Sequence, residues 1–350
     1  MNVAGEEAAG EGGERAKPGF ARDLLAWYDA HARTLPWRAP PGTPAPDPYR
    51  VWLAEVMLQQ TTVATVRPRY ERFLTLFPTV EALAAAPLDD VLAEWAGLGY
   101  YARARNLHAC AKAVAAGGWP RTEAGLRALP GLGAYTAASV AAIAFGERAV
   151  VVDGNVERVV ARVFAVETPV KQVSARIRAL ADALTPDERC GDYAQAMMDL
   201  GATVCRPKAP DCLLCPVRAH CDAAARGLTE ELPVRVLRKA RPVRYGTVYV
   251  GLRSDGSVLC ERRPPEGLYG GMVGLPGSGW GDAPTPAPPV PADWREARRV
   301  THGLTHFVLE LTVYEAAVEA APPGLFFVPR EDTRSLPTVF RACLGDQEGD

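Results

Sequence analysis

The spacing of apolar residues changes once along this chain, and that change limits the folds open to it. Up to about residue 228 the apolar residues recur at helical intervals, first at Phe20, Leu24, Trp27 and Tyr28 with His31 at the helix edge. The same period returns at Tyr49, Trp52, Leu53, Val56 and Met57, and again at Val156, Val159, Val160, Val163 and Phe164. Residues 63–94 read as helices broken by Pro68, Pro78 and Pro87, and 171–184 and 193–204 as further helices. Beyond residue 242 the period becomes two. Residues 247–252 and 258–263 alternate around Ser254-Asp-Gly-Ser257, a hairpin signal, 305–316 is another alternating strand, and 292–300 reads as one short helix. The expected fold is therefore multi-domain, an all-helical part followed by a smaller α/β part. With 350 residues and 48% hydrophobic composition, each can bury a core.

The expected boundaries are a disordered, Gly- and Glu-rich leader at 1–19, a helical domain at 20–228, a charged, Pro-punctuated linker at 229–242 and the α/β domain at 243–350. No apolar run approaches the roughly 18 residues of a membrane span, and the start of the chain lacks a signal peptide's hydrophobic segment. A cytoplasmic protein is expected. The net charge of −2 does not favour nucleic acid in bulk. Arg103 with Arg105, and Arg235, Arg238, Lys239, Arg241 and Arg244, nonetheless form local basic clusters that either track a phosphate backbone or simply face solvent.

Of eight cysteines, Cys110, Cys190, Cys260 and Cys343 are scattered and read as buried thiols. Cys205, Cys212, Cys215 and Cys221 fall within one loop, separated by six, two and five residues. Four thiolates this close can hold zinc or a cubane iron-sulfur cluster, and ligand chemistry alone does not separate the two.

Three stretches carry candidate chemistry. In Leu129-Pro-Gly-Leu-Gly-Ala-Tyr135, Gly131 and Gly133 allow a tight turn just before a helix, where amide N–H groups can meet a phosphate or merely join two packed helices. In Val152-Asp-Gly-Asn-Val156, Asp153 stands at a helix start. It serves either as an N-cap or as a catalytic carboxylate, since Val156 occupies the place where a capping box has Glu or Gln. Glu55 lies one helical step from the Trp52 stripe, where lost hydration raises a carboxyl pKa toward the range of a general acid; a half-exposed helix Glu paired with Arg is the plain alternative.

These motifs together resemble the helix-hairpin-helix DNA glycosylases of the endonuclease III superfamily. The lyase branch of that superfamily has a Schiff-base Lys where this chain has Tyr135, and Tyr there is similar to the adenine DNA glycosylase (MutY-type) branch; a phenol cannot form an imine. The resemblance covers about residues 20–315. It implies a catalytic acid at Glu55, in Glu-Val-Met-Leu-Gln-Gln-Thr61, and a sugar-stabilising carboxylate at Asp153, with Tyr135 and Asn155 beside it. It further implies an adenine pocket at Trp37 and Arg38, adenine-edge reading by Gln195, and phosphate binding at Gly131 and Gly133. Tyr100 and Gln60 would enter the duplex from opposite sides. The cysteine spacing resembles the superfamily's [4Fe-4S] pattern.

Gly267-Leu-Tyr-Gly-Gly-Met-Val-Gly-Leu-Pro276 resembles the Nudix-like C-terminal domain of adenine glycosylases, without the Glu-rich metal box of Nudix hydrolases, so no pyrophosphatase activity is expected. Where the family reads 8-oxoguanine with Phe-Ser-His, this chain has Leu304-Thr305-His306, which keeps the hydroxyl and loses the aromatic face. The expectation is a monomeric, monofunctional adenine DNA glycosylase of base excision repair, acting on double-stranded DNA with adenine opposite 8-oxoguanine or guanine. A bifunctional endonuclease III-type enzyme for oxidised pyrimidines is the alternative, weakened by Tyr135. A non-catalytic DNA-binding module is weakened by the retained Glu55 and Asp153.

Overall fold

The computed structural model describes residues 17–234, 240–264 and 266–345. The leader's first sixteen residues and Arg235, Arg238 and Lys239 of the linker lie outside them. Twelve helices come first: α1 Phe20–His31, α2 Pro48–Leu58, α3 Val63–Leu76, α4 Val80–Ala85, α5 Leu88–Glu94, α6 Ala102–Gly117, α7 Glu123–Arg127, α8 Ala134–Phe145, α9 Gly154–Val163, α10 Ser174–Leu184, α11 Cys190–Asp199 and α12 Asp222–Arg226. Six strands follow, β1 Val243–Leu252, β2 Val258–Arg262, β3 Val273–Gly274, β4 Arg295–Gly303, β5 Val308–Ala317 and β6 Leu325–Val328, and α13 Thr338–Cys343 closes the described chain. No helix among the described residues is long and apolar enough to cross a membrane.

The chain divides into two compact units, Met1–Ala84 with Ala109–Val236, and Ala85–His108 with Leu237–Asp350. In the first, α2 is buried on nearly every side, Trp52, Leu53, Ala54 and Met57 being fully covered. Asp47 caps its start by accepting from Tyr49 and Arg50 N–H, and Pro48 supplies a φ already suited to the first turn. The apolar helix α8 packs against α2, α7 and α11, with Thr136 to Ile143 all buried. Pro68, expected to break a helix, lies inside α3; burial of Val66, Tyr70 and Phe73 on either side keeps that helix running to Leu76. The helix expected over 193–204 ends at Asp199 and passes into a π-helical turn, Leu200–Val204. Leu232, in the expected linker, is buried against Ala165 and Ala223.

The second unit holds a mixed sheet in the order β3-β2-β1-β5-β4, with β6 also paired to β2. Strands β1 and β5 run parallel over ten residues and the other pairs are antiparallel. One core joins Val248, Val250, Val258, Leu309, Leu311 and Val313 to Val339 and Phe340 of α13. The helix expected over 292–300 is instead β4, an edge strand bulged between Glu296 and Arg298. Its residues lack an alternating apolar face, and pairing to β5 sets their conformation.

Candidate active site

Sequence-distant segments of the first unit line one cavity of about 780 Å³. Helix α2 presents Glu55, the turn before α8 presents Gly131 and Gly133 and the first turn of α8 Tyr135, and the start of α9 presents Asp153 and Asn155. Trp37, Arg38 and Gln60 line the same space. Trp37 is buried and meets Tyr70 edge to face at 5.2 Å, which fixes its ring plane. Gly131 has φ +75°, a backbone region where a Cβ would clash, and Gly133 is the extended N-cap of α8, so the start of that helix stands at the cavity the two glycines line.

Glu55 is only 6% exposed. Burial raises its pKa, against opposing effects from hydrogen bonds to Tyr135 and Ser139 and from the charge of Arg38. The Tyr135 hydroxyl donates to Glu55 Oε2 at 2.6 Å and lies 3.5 Å from Met198 Sδ. Its own pKa is pushed well up, by burial first and then by Glu55 and Asp153, so it remains a donor. Oε2 thereby accepts a fixed hydrogen bond.

Asp153 takes the capping role open to it from sequence and also lines the cavity. It caps α9, Oδ1 accepting from Asn155 N–H at 2.9 Å and Val156 N–H at 2.7 Å, while Oδ2 accepts from Asn155 Nδ2 at 2.9 Å. The cap holds the carboxylate at the cavity wall. Asn155 is held in turn, its Oδ1 accepting from Arg158 Nη2 at 2.8 Å, and Arg158 also donates to the carbonyls of Gly201 and Cys205. Gly201 is required there, because a Cβ would stand 2.5 Å from Asn155 Cβ.

Gln195 is buried but is not among the residues lining the cavity; its Nε2 donates to Gly191 O, one turn back. Asp199, Arg158, Ser139 and Gly201 were not singled out as site residues from sequence. Asp199 left one trace, an acidic residue inside the buried run Met197-Met198-Asp199-Leu200. Arg158, Ser139 and Gly201 left none.

In the second unit Tyr100, Leu304, Thr305 and His306 line a separate cavity of about 510 Å³. Tyr100 is 48% exposed and held in the left-handed region at φ +49°. Arg103 donates to the carbonyls of Leu98 and Gly99 and lies over the Tyr100 and Trp95 rings, and the Tyr100 hydroxyl hydrogen-bonds Thr305 Oγ1. The turn and the Leu304-Thr305-His306 loop are therefore parts of one surface.

Cys205, Cys212, Cys215 and Cys221 share a small space with Arg162, and none forms a disulfide. Arg162 is fully buried; Nη1 donates to Cys205 Sγ at 3.2 Å and to Arg206 O, while Nη2 is buried without a partner among the described residues. Burial and the neighbouring thiols push Cys215 up to about 12. Among the described residues no three His, Cys, Asp or Glu side chains close on a single metal ion. Arg162 meets Cys205 alone among the four sulfurs through its side chain, and its unspent Nη2 suits an anionic group held beside that loop.

A family model described as HhH-GPD superfamily base excision DNA repair protein matches residues 53–183, and a NUDIX domain model matches 247–345. Human adenine DNA glycosylase is 34% identical over 413 residues, covering 94% of this chain and 75% of that protein. The Mycolicibacterium smegmatis adenine DNA glycosylase is 41% identical over 202 residues, covering 57% of this chain and 67% of that one. A solved structure of a thermostable thymine-DNA glycosylase aligns at TM-score 0.53 and 28% identity over 60% of this chain and 97% of that chain. With its helix-hairpin-helix and Nudix-like parts both matched, this chain belongs to the adenine DNA glycosylase family.

Proposed function

We propose that the protein is a monofunctional glycosylase that removes adenine opposite 8-oxoguanine or guanine in double-stranded DNA. The observation that carries this reading is the Tyr135–Glu55 hydrogen bond in a cavity that also holds Asp153. A base must leave the stack to enter such a cavity, and a mispaired adenine costs less to extrude. Glu55, whose pKa burial raises, gives its proton to N7 of adenine, so the base departs neutral. Asp153, held by Asn155 and the α9 amides, then stabilises the positive sugar or bonds to it briefly, as the second carboxylate does in retaining glycosidases, and water completes release to an abasic sugar. Tyr135 keeps Glu55 in place and supports the sugar's charge. Since no amine stands where Tyr135 does, no imine forms and the strand stays intact.

Trp37 and Arg38 would line the adenine, and Gln195 would read its edge after a side-chain rearrangement, because its carboxamide is engaged at Gly191. Gly131 and Gly133 would hold phosphate. Tyr100 and Gln60 would wedge into the duplex, each supported by a backbone already in the left-handed region. Thr305 and His306, with Leu304, would read the oxidised guanine, supported by the cavity they share with Tyr100. The functional boundaries we adopt are 20–228 for the glycosylase domain and 243–350 for the reader domain, joined through 229–242.

The four cysteines would hold a [4Fe-4S] cluster. Their spacing and the uncompensated Arg162 support it, and its role would be to brace the loop carrying Arg206, Lys208 and Arg218. Iron and acid-labile sulfide in anaerobically purified protein would bear this out, and stoichiometric zinc would refute it. We place the enzyme in the cytoplasm as a monomer acting on the cell's DNA. The reading as a whole is tested on a duplex with a single 8-oxoguanine:adenine pair. Free adenine with no strand scission until alkali is added is the expected result. Scission without alkali would instead support a bifunctional lyase.

A further inference from the structure

Glu55 shares its cavity with two arginines, Arg33 and Arg38. Two cations lining a low-dielectric pocket oppose an acid that must keep its proton, and the charge of Arg38 does act to lower Glu55. Both arginines converge on one carboxylate. Asp199, the last residue of α11, has no solvent exposure. Its Oδ1 accepts from Arg33 Nε at 2.6 Å and pairs with Arg33 Nη2 at 2.5 Å, and its Oδ2 accepts from Arg33 N–H at 3.1 Å and Arg38 Nη1 at 2.7 Å. The Arg38 side chain is 8% exposed, so solvent screens this pair little.

We propose that Asp199 is a positioning residue for base excision, clamping Arg38 against the pocket wall and offsetting the charge of both arginines so that Glu55 keeps its proton. This rests on the assignment of Glu55 as the acid. The charged and titratable groups around the pair of carboxylates are few. Tyr135 and Ser139 face Glu55 from α8, Asp153 from the start of α9 and Arg38 from the segment before α2. Tyr28 of α1 feels the charges of Arg33, Arg38 and Asp199, and also that of Asp192 of α11, which is itself paired with Arg189. As counted, Arg33, Arg38 and Asp199 sum to one positive charge; without Asp199 they sum to two.

A general acid works only while protonated, so the excision rate falls as pH rises through the pKa of Glu55. Removing Asp199's charge should move that fall to lower pH. Removing Arg33's charge should move it to higher pH. The experiment is single-turnover adenine release from an 8-oxoguanine:adenine duplex between pH 5 and 9, comparing wild type with Asp199→Asn, Asp199→Glu, Arg33→Gln and Glu55→Gln. Asp199→Asn should lower the midpoint by about one unit, making excision roughly tenfold slower above it. Asp199→Glu, which keeps the charge, should restore the midpoint, and Arg33→Gln should raise it.

An Asp199→Asn enzyme that is slower at every pH with an unmoved midpoint would show that the residue only packs the fold, and would overturn the proposal. Should that variant fail to fold, Arg33→Gln decides alone, and an unmoved or lowered midpoint overturns the proposal. Persistent excision by Glu55→Gln would instead refute the assignment of the acid, a result distinct from either.

Discussion

Replacing Gly201 with Ala adds one methyl group far in sequence from every proposed catalytic residue, yet it should disable the site. The new Cβ would stand 2.5 Å from Asn155 Cβ, 3.2 Å from Asn155 Cα and 3.3 Å from Arg158 Nη2. The nearest of these cannot be relieved by rotating a side-chain tip, because a Cβ moves only with its backbone. Asn155 must therefore shift, and it carries two of the three hydrogen bonds that hold the Asp153 carboxylate. Overpacking of this kind costs on the order of 1–3 kcal/mol of stability, and a displacement of about 1 Å at a reacting group costs about 100-fold in rate. The assay is single-turnover adenine release alongside thermal unfolding. A variant with wild-type rate and wild-type Tm would refute the reasoning, showing that α9 and the π-helical turn separate freely.

Other consequences follow from the same geometry. Burial raises Glu55's pKa in the folded chain, so its contribution to stability is present below the ordinary carboxyl range and is lost as pH rises through the raised value. Glu55→Gln should therefore unfold at a higher temperature than wild type at pH 8, with the gap closing toward pH 5, and a gap independent of pH would contradict the burial argument. Tyr135→Lys should yield a borohydride-trappable adduct with abasic DNA, since a buried lysine sheds its proton more readily; a variant that still excises adenine without any adduct would mean that this position does not set the branch. Leu304→Phe with Thr305→Ser should increase the preference for adenine opposite 8-oxoguanine over guanine if that loop reads the lesion, and an equal change on both substrates would assign it to general affinity.

The two-part organisation was legible because the hydrophobic period is a local property, written within each helix and each strand. Glu55, Tyr135 and Asp153 were legible through the short strings that contain them, and the structure brings all three to one cavity. Strand β4 was not, since Arg295-Glu-Ala-Arg-Arg299 has no apolar alternation and takes its conformation from β5. Residues 85–108, read as part of the helical domain, group with the second unit through partners such as Thr305, which lies 205 positions from Tyr100. Asp199 and Arg33 are 166 positions apart, and no local pattern announces such a pair. The burial of Glu55 exceeds what its place at a stripe edge suggested, because α8 covers the side of α2 that periodicity left open.

The central claim is that Glu55 supplies the proton that releases adenine. Its most direct test is Glu55→Gln on a duplex with one 8-oxoguanine:adenine pair, measuring binding and single-turnover excision on the same preparation. The substitution keeps the side chain's shape and its capacity to accept from Tyr135 while removing the transferable proton. The account predicts mispair binding close to wild type with adenine release abolished. Release at a near-normal rate by this variant would contradict it.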